Sequence, residues 1–287
     1  MGATHPPMAS TWPAPAKLNL FLHITGRRED GYHLLQTVFQ FLNYGDELTF
    51  SIRDDGRIER TSSLLGVTAE EDLVVRSARL LKEASGCRLG ADIRVDKCLP
   101  MGGGLGGGSS NAATTLVALN QLWDLDFSEE RLAELGLRLG ADVPVFVRGR
   151  AAWAEGIGER LTPIELPEPW FVIIVPAVEV STAELFSSAE LTRDCAPITI
   201  ADFLSGEGSN VFEPPVRARY PAVAEALDWL ASRGAARLTG SGGCIFAPFP
   251  DEARARKLLA ELPEGWRGFV AEGRNRSPLL ARVVRSA

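Results

Sequence analysis

The residues best able to do chemistry in this 287-residue chain cluster around a stretch with almost no side chains. Between Pro100 and Asn111 the sequence reads PMGGGLGGGSSN, with six glycines in the seven positions 102–108. Glycine lets the main chain take positive φ and crowd against a ligand, so that backbone N–H groups can cradle an anion where a helix begins. The alternating segment Ala91–Lys97 predicts a strand before the loop, and Ala112, Ala113, Leu116, Val117 and Leu119 predict a helix starting near Ser109. A flexible linker is not usually locked between two such elements. The loop has no lysine of its own, the nearest being Lys97, so it is not a Walker loop. Gly102, Gly104 and Gly107 satisfy GxGxxG through glycine density alone, and neither Asp124 nor Asp126 stands out as the acid of a dinucleotide site.

Other residues supply what glycine cannot. Lys17 and Asn19 share one face of a predicted strand, Pro15–Thr25, and a lysine facing a cavity is a point charge for phosphate. Asp142 sits where a predicted helix, Glu129–Leu139 with Ser128 as cap, stops at Gly140; Pro144 should then turn Val145–Arg148 into an extended run. Tyr32 and His33 offer an aromatic plane beside a donor and acceptor, suited either to a base or to a partly buried core. A second glycine cluster, LTGSGGCIF at Leu238–Phe246, reads alone as a hairpin turn. Two glycine loops with a lysine and an aspartate at element ends suggest one anionic pocket assembled across a domain interface.

The elements that must carry these residues follow from periodicity and punctuation. Leu34–Leu42 and Glu47–Ile52 read as separate strands around a turn at Gly45-Asp46, with a further turn at Asp54-Asp55-Gly56. Glu70–Ser85 reads as a helix, Trp170–Pro176 as a buried strand, and Ser181–Leu185 as a helix start with a Ser181/Glu184 capping box. Thr182 and Phe186 lie on that short element. A polar helix cluster is expected around Asn210, helices at Pro221–Ala231 and Asp251–Leu262, and a last strand near Phe269–Ala271. Pro163–Pro169 is the best candidate boundary, dividing the chain into 1–165 and 166–287.

Composition excludes several classes. The chain is 45% hydrophobic and 23% charged, ordinary for a globular protein, and its net charge of -7, from 30 basic and 37 acidic residues, argues against a broad nucleic-acid footprint. Four scattered cysteines and three histidines make no zinc spacing and fit a reducing, cytoplasmic compartment. Residues 1–12 have no signal-peptide pattern and are expected to be frayed, and no membrane span is expected.

Four blocks in order, PAKLNLFLHITGRREDGYHLLQTVFQ (Pro15–Gln40), LPMGGGLGGGSSNAA (Leu99–Ala113), LGADVPVFVRG (Leu139–Gly149) and RLTGSGGCIF (Arg237–Phe246), resemble the motifs of the GHMP kinase superfamily. The superfamily is named for galactokinase, homoserine, mevalonate and phosphomevalonate kinases. The first block resembles the branch whose acceptor is an alcohol linked to cytidine diphosphate. The resemblance implies an α+β, two-domain GHMP kinase fold, with a ribosomal-protein-S5-domain-2-like N-terminal domain and a smaller α/β C-terminal domain. It implies ATP as co-substrate with Mg2+, and transfer of the γ-phosphoryl group to the 2-hydroxyl of 4-diphosphocytidyl-2-C-methyl-D-erythritol in the non-mevalonate isoprenoid route. Lys17 and Asp142 match the catalytic positions. Pro100, Met101, Gly102, Gly103, Gly104, Leu105, Gly106, Gly107, Gly108, Ser109 and Ser110 match the ATP phosphate site. Asn19, Tyr32, His33, Thr182 and Phe186 match the cytidine site. Metal ligands are not identifiable by spacing. The expected partner is a small molecule, with no nucleic acid or membrane, in a monomer or weak homodimer. The alternatives are a GHMP kinase for another small alcohol such as mevalonate and a non-catalytic nucleotide-binding protein.

Overall fold

The computed structural model describes residues 9–63, 68 and 70–284; the expectation for the first residues lies, for 1–8, outside them. Two long antiparallel strands form the spine, β1 (Ser10–Arg27) and β2 (His33–Arg53). β1 is covered on both faces: Ala16 and Leu18 enter a hydrophobic cluster while Lys17 and Asn19, one residue out of phase, are buried on the other side. The register against β2 shifts between Pro15 and Lys17 and again between Asn19 and Leu22, so the two polar residues sit between irregularities that re-aim the strand.

The Gly45-Asp46 turn expected from sequence is absent, because β2 continues straight through it. Gly45 lies opposite Pro15, and a Cβ there would stand 2.2 Å from the carbonyl oxygen of Ala14. The glycine marks a close strand approach rather than a reversal. Asp46 is buried and accepts hydrogen bonds from the main-chain N–H of Cys98 and of Leu99, each 2.8 Å, which pins the segment leading into the long glycine loop.

The remainder of the first half is β3 (Ile58–Arg60), α1 (Leu73–Ser85), β4 (Gly90–Asp96), α2 (Gly107–Leu122), α3 (Glu129–Leu137), α4 (Val143–Arg148), β5 (Ala152–Glu155) and β6 (Arg160–Pro163). The helices pack on the sheet through Leu81, Ala112, Leu116, Leu119, Leu132 and Phe146. α4 corrects the expected extended run at Val145–Arg148. Proline is tolerated in the first turn of a helix, where its missing N–H has no partner to lose, and the helix ends at Gly149 in the left-handed region (φ 61).

The second half holds β7 (Trp170–Val175), α5 (Thr182–Phe186), α6 (Ile200–Leu204), α7 (Glu213–Arg219), α8 (Pro221–Ala231), β8 (Arg237–Leu238), β9 (Ile245–Phe249), α9 (Glu252–Leu259), β10 (Arg267–Arg274) and α10 (Pro278–Val284). β10 joins the halves: it pairs with β7 along Arg267–Glu272, then Gly273 and Arg274 pair with Leu42 and Phe41 of β2. The resulting strand order is β3-β4-β2-β10-β7-β9-β8, with β1 and β5 also on β2. α10, absent from the sequence reading, returns to the first core, which Leu279 joins. At Asn210 there is no helix. It is a buried residue between α6 and α7 whose Nδ2 donates to the carbonyls of Leu238 (2.9 Å) and Gly240 (2.8 Å), shaping the second glycine turn. At Ser181 only half of the expected capping box forms, with Glu184 N–H donating to the serine hydroxyl, whereas Thr199 and Asp202 make a complete box on α6. No helix among the described residues is long and apolar enough to cross a membrane.

Candidate active site

A cavity of about 1000 Å³ opens between the halves, floored by β1 and β2 and walled by the glycine loop, α5 and the second glycine turn. The two glycine segments touch directly. A Cβ on Gly104 (φ +77) would lie 2.1 Å from the Thr239 carbonyl oxygen, and one on Gly242 would lie 2.1 Å from Gly104 N. Cys244 N–H donates to the Gly103 carbonyl at 3.2 Å, closing the contact. The expectation of one pocket built from both loops is met by backbone packing that any side chain would block.

α2 begins at Gly106, itself left-handed (φ 75), and its first internal bond runs from Ser110 N–H to the Gly106 carbonyl. The N–H groups of Gly107, Gly108 and Ser109 therefore have no partner within the helix and lie at its positive end, an anion site made of main chain. Gly107, Gly108 and Ser109 line the cavity, as do Pro100, Met101, Gly102, Gly103, Gly104, Leu105 and Gly106. Ser110 does not; its hydroxyl is buried and has no hydrogen-bond partner among the described residues.

Lys17 stands under this loop. Its main-chain N–H donates to the Leu105 carbonyl (3.0 Å), and its Nζ donates to the Gly104 carbonyl (2.9 Å) and to Asn19 Oδ1 and lies 3.5 Å from Asp142 Oδ2. Burial pushes its pKa below the ordinary lysine value, because the charged form is desolvated, and the neighbouring Asp142 carboxylate opposes that shift. Asp142 precedes α4 in helical geometry without making a capping bond, and its side chain is 34% exposed. One oxygen thus faces Lys17 while the carboxylate stays accessible from the cleft.

The far end of the cavity is aromatic. His33 stacks on Phe186 (5.0 Å between centroids, 28° between planes), and Phe186 meets Phe212 edge-on. Tyr32 is 60% exposed at the rim, and Thr182 Oγ1 pairs with Ser241 Oγ at 2.8 Å. His33 Nε2 is buried without a partner among the described residues. Its pKa lies below the ordinary histidine value, chiefly through desolvation and then through the positive charges of Arg193 and Arg27, so the ring is neutral and carries an unmet hydrogen-bonding nitrogen. Asn19 lies apart from this group: its amide is occupied between Lys17 and Thr37, to whose Oγ1 it donates at 2.9 Å.

A third arm was not read from the sequence. Arg60 of β3 pairs with Asp72 at 2.8 Å, both side chains under a tenth exposed, and Asp72 also caps α1 by accepting from Val74 N–H. Arg60, Asp72 and Lys97 line the cavity beside Gly107 and Gly108. The Asp72 cap before an apolar helix was visible as a pattern; nothing in the sequence pointed Arg60 toward it.

Comparison with known proteins identifies the family and the fold. Residues 72–150 match the family described as GHMP kinases N terminal domain, and residues 192–268 match GHMP kinases C terminal. The chain is 62% identical over 269 residues to 4-diphosphocytidyl-2-C-methyl-D-erythritol kinase of Nitrosococcus oceani, covering 94% of this chain and 96% of the relative. It is 58% identical over 267 residues to the enzyme of the same name from Pseudomonas aeruginosa, covering 93% and 95%. A crystal structure of 4-(cytidine 5'-diphospho)-2C-methyl-D-erythritol kinase superposes with a TM-score of 0.80 at 33% identity, over 93% of this chain and 99% of that one. A homoserine kinase from Cytophaga hutchinsonii shares the fold at 20% identity, with a TM-score of 0.69 over 96% and 97%. This chain belongs to the 4-diphosphocytidyl-2-C-methyl-D-erythritol kinase family of the GHMP kinases.

Proposed function

We propose that the cavity brings ATP and 4-diphosphocytidyl-2-C-methyl-D-erythritol together and transfers the γ-phosphoryl group to the 2-hydroxyl, giving the 2-phosphate and ADP on the non-mevalonate route to isoprenoid precursors. One observation carries the assignment of roles: Lys17 Nζ bridges a carbonyl of the phosphate loop, 2.9 Å away, and the Asp142 carboxylate, 3.5 Å away. Phosphate and acceptor meet at that lysine. The unpaired N–H groups at the start of α2 hold the phosphates, since the loop has no cation of its own. The arm bounded by Arg60, Asp72 and Lys97 takes the adenosine, because the opposite arm is furnished with His33, Phe186, Tyr32 and Thr182 for the cytidine end.

In the transfer, Asp142 accepts the proton of the attacking hydroxyl and Lys17 offsets negative charge growing between that oxygen and the γ-phosphoryl group. A carboxylate is a weak base for a tertiary alcohol, so the proton moves late and Asp142 orients the hydroxyl as much as it deprotonates it. The described residues contain no cluster of three or more metal-ligating side chains. That composition fits Mg2+ arriving with the nucleotide, which keeps waters and takes one or two protein oxygens besides phosphate; Ser109, lining the cavity at the start of α2, would offer its hydroxyl as one of them. When bound, the ion supplies charge neutralisation of the phosphates.

Purified protein given ATP, Mg2+ and the cytidine substrate should form the 2-phosphate, and cytidine diphosphate should compete with the alcohol but not with ATP. A folded sample without turnover, or one that phosphorylates mevalonate and ignores cytidine diphosphate, would sink the reading.

A further inference from the structure

The alternation of β1 puts Asn19 beside Lys17, but alternation alone does not say which end of the amide faces the lysine. The hydrogen bonds do. An ammonium only donates, so it requires the amide oxygen, and Asn19 Oδ1 is the atom it meets. The opposite end, Nδ2, then needs an acceptor in a buried place, and it finds Thr37 Oγ1 at 2.9 Å. A threonine hydroxyl has one proton. Here it goes to the main-chain carbonyl of Phe21, in the stretch where the β1–β2 register shifts between Asn19 and Leu22. A carbonyl can only accept, so Thr37 can meet Asn19 only as an acceptor. The donors therefore run one way, from Lys17 through Asn19 and Thr37 to Phe21.

We infer that Thr37 is a positioning residue for the phosphoryl transfer: by committing its proton to the Phe21 carbonyl it fixes the polarity of the Asn19 amide and so holds an oxygen on Lys17. Asn19 is also anchored through its main-chain N–H, which donates to Thr239 Oγ1 at 3.0 Å, so the amide has little freedom except to flip. The lysine meets Asn19 from its own strand, the Phe39 ring from β2 at 5.5 Å, the Gly104 carbonyl from the loop, and Asp142, the charged group facing it, from the start of α4. Asn19 Oδ1 and the Gly104 carbonyl accept from the ammonium and the Asp142 carboxylate lies 3.5 Å away, opposing the desolvation that favours the neutral amine. Without the Thr37 acceptor, the amide either keeps Oδ1 on the lysine and leaves a buried Nδ2 unpaired, or turns Nδ2 toward the ammonium, where two donors face each other and the charged lysine is disfavoured.

The inference rests on the kinase reaction proposed above, and the unmodified protein tests that reaction separately in the same assay. Thr37→Val keeps the shape and removes the acceptor; it should lower kcat by about tenfold or more, with the KM for ATP within about twofold, and move the alkaline limb of the kcat–pH profile to lower pH. Thr37→Ser keeps the hydroxyl and should restore kcat to within about threefold and return the limb to its original place. If Thr37→Val fails to fold, as read by circular dichroism and thermal melting, Thr37→Ala carries the same expectation. The assignment is overturned if a folded hydroxyl-free variant keeps the native pH profile, or if Thr37→Ser is as impaired as that variant.

Discussion

The two ends of the cleft are built from opposite materials. At the proposed phosphate end the functional surface is main chain: Gly104 packs backbone against backbone with Thr239, Gly240 and Gly242, and the side chain that matters, Lys17, is held by Asn19, the Gly104 carbonyl and Asp142. At the base end the surface is side chain: Tyr32, His33 and Phe186 come from two distant segments, and His33 keeps a buried nitrogen without a partner. An end made of backbone tolerates no added atoms and couples binding to folding, whereas an end made of side chains can lose one of them and change only what it recognises.

The largest expected effect is therefore at the phosphate end. Gly104→Val places a branched side chain at positive φ with its Cβ 2.1 Å from the Thr239 carbonyl, where the obstacle is backbone and cannot rotate away. Turnover should fall below detection and stability by about 3 kcal/mol or more, read as a lower Tm and lost ATP binding. A variant that melts like the native protein and binds ATP normally would break the distinction between the two ends.

Next comes Asp142→Asn, which removes the proposed base and the counter-charge of Lys17 without adding bulk. Loss of a positioned general base costs about 10²–10⁴ in kcat, while the KM values for ATP and for the cytidine substrate should each change by less than about threefold. Steady-state kinetics with both substrates varied checks this. Turnover within about threefold of native would mean Asp142 is not the group that handles the hydroxyl proton.

How legible the site was in sequence follows the same division. The long glycine loop announced itself, because so dense a run of glycine between a strand and a helix leaves room for a ligand against the main chain, whereas the second glycine segment read alone as a hairpin turn and joined the pocket only when the two were taken together. Lys17 and Asp142 fitted equally well as a solvated strand residue and an ordinary turn aspartate, and only the family resemblance gave them catalytic roles. What stayed hidden depended on register and partner. Gly45 looked like a turn because a glycine-aspartate pair carries no mark distinguishing a reversal from a strand crossing, and Pro144 looked like a stop because its place in the first turn of α4 depends on where that helix begins. Asn19 read as a contact for the base, yet its amide is spoken for by Lys17 and Thr37, a fact fixed by a bulge that composition does not show. The return of α10 to the first core also lay beyond periodicity, since a short apolar helix does not say which sheet it will cover.

At the base end Tyr32→Ala should raise the KM for the cytidine substrate by about 3–10-fold, the worth of a stacking contact, and leave the KM for ATP within about twofold. Tyr32 is 60% exposed, so its removal should not lower the Tm. Equal weakening of both substrates would mean that the two ends are not independent.

The smallest effect concerns proton uptake by His33. Desolvation, aided by Arg193 and Arg27, holds its pKa below the ordinary histidine value, so the folded protein favours the neutral ring. Arg193 is fixed close by, since its guanidinium donates to the carbonyls of Phe186 and Ser188 at 2.7 Å each, and its charge cannot swing away when the ring titrates. The sign follows: the unfolded chain takes up this proton more readily, so the contribution of the neutral ring to stability is full above the ordinary value of about 6.5 and is lost as pH falls through it toward the depressed folded value. Substrate binding follows the same neutral form, because the buried Nε2 can offer a lone pair, or in the other tautomer a proton, to the polar edge of a base only while the ring is uncharged. The KM for the cytidine substrate should thus be flat above neutrality and rise about two- to fivefold under mildly acid conditions, with the KM for ATP unaffected. His33→Phe keeps a ring to stack on Phe186 and has nothing to titrate, so it should raise the KM at every pH and flatten its acid rise. Should the acid rise persist in that variant, the titrating group lies elsewhere, and the base end owes its recognition to stacking alone.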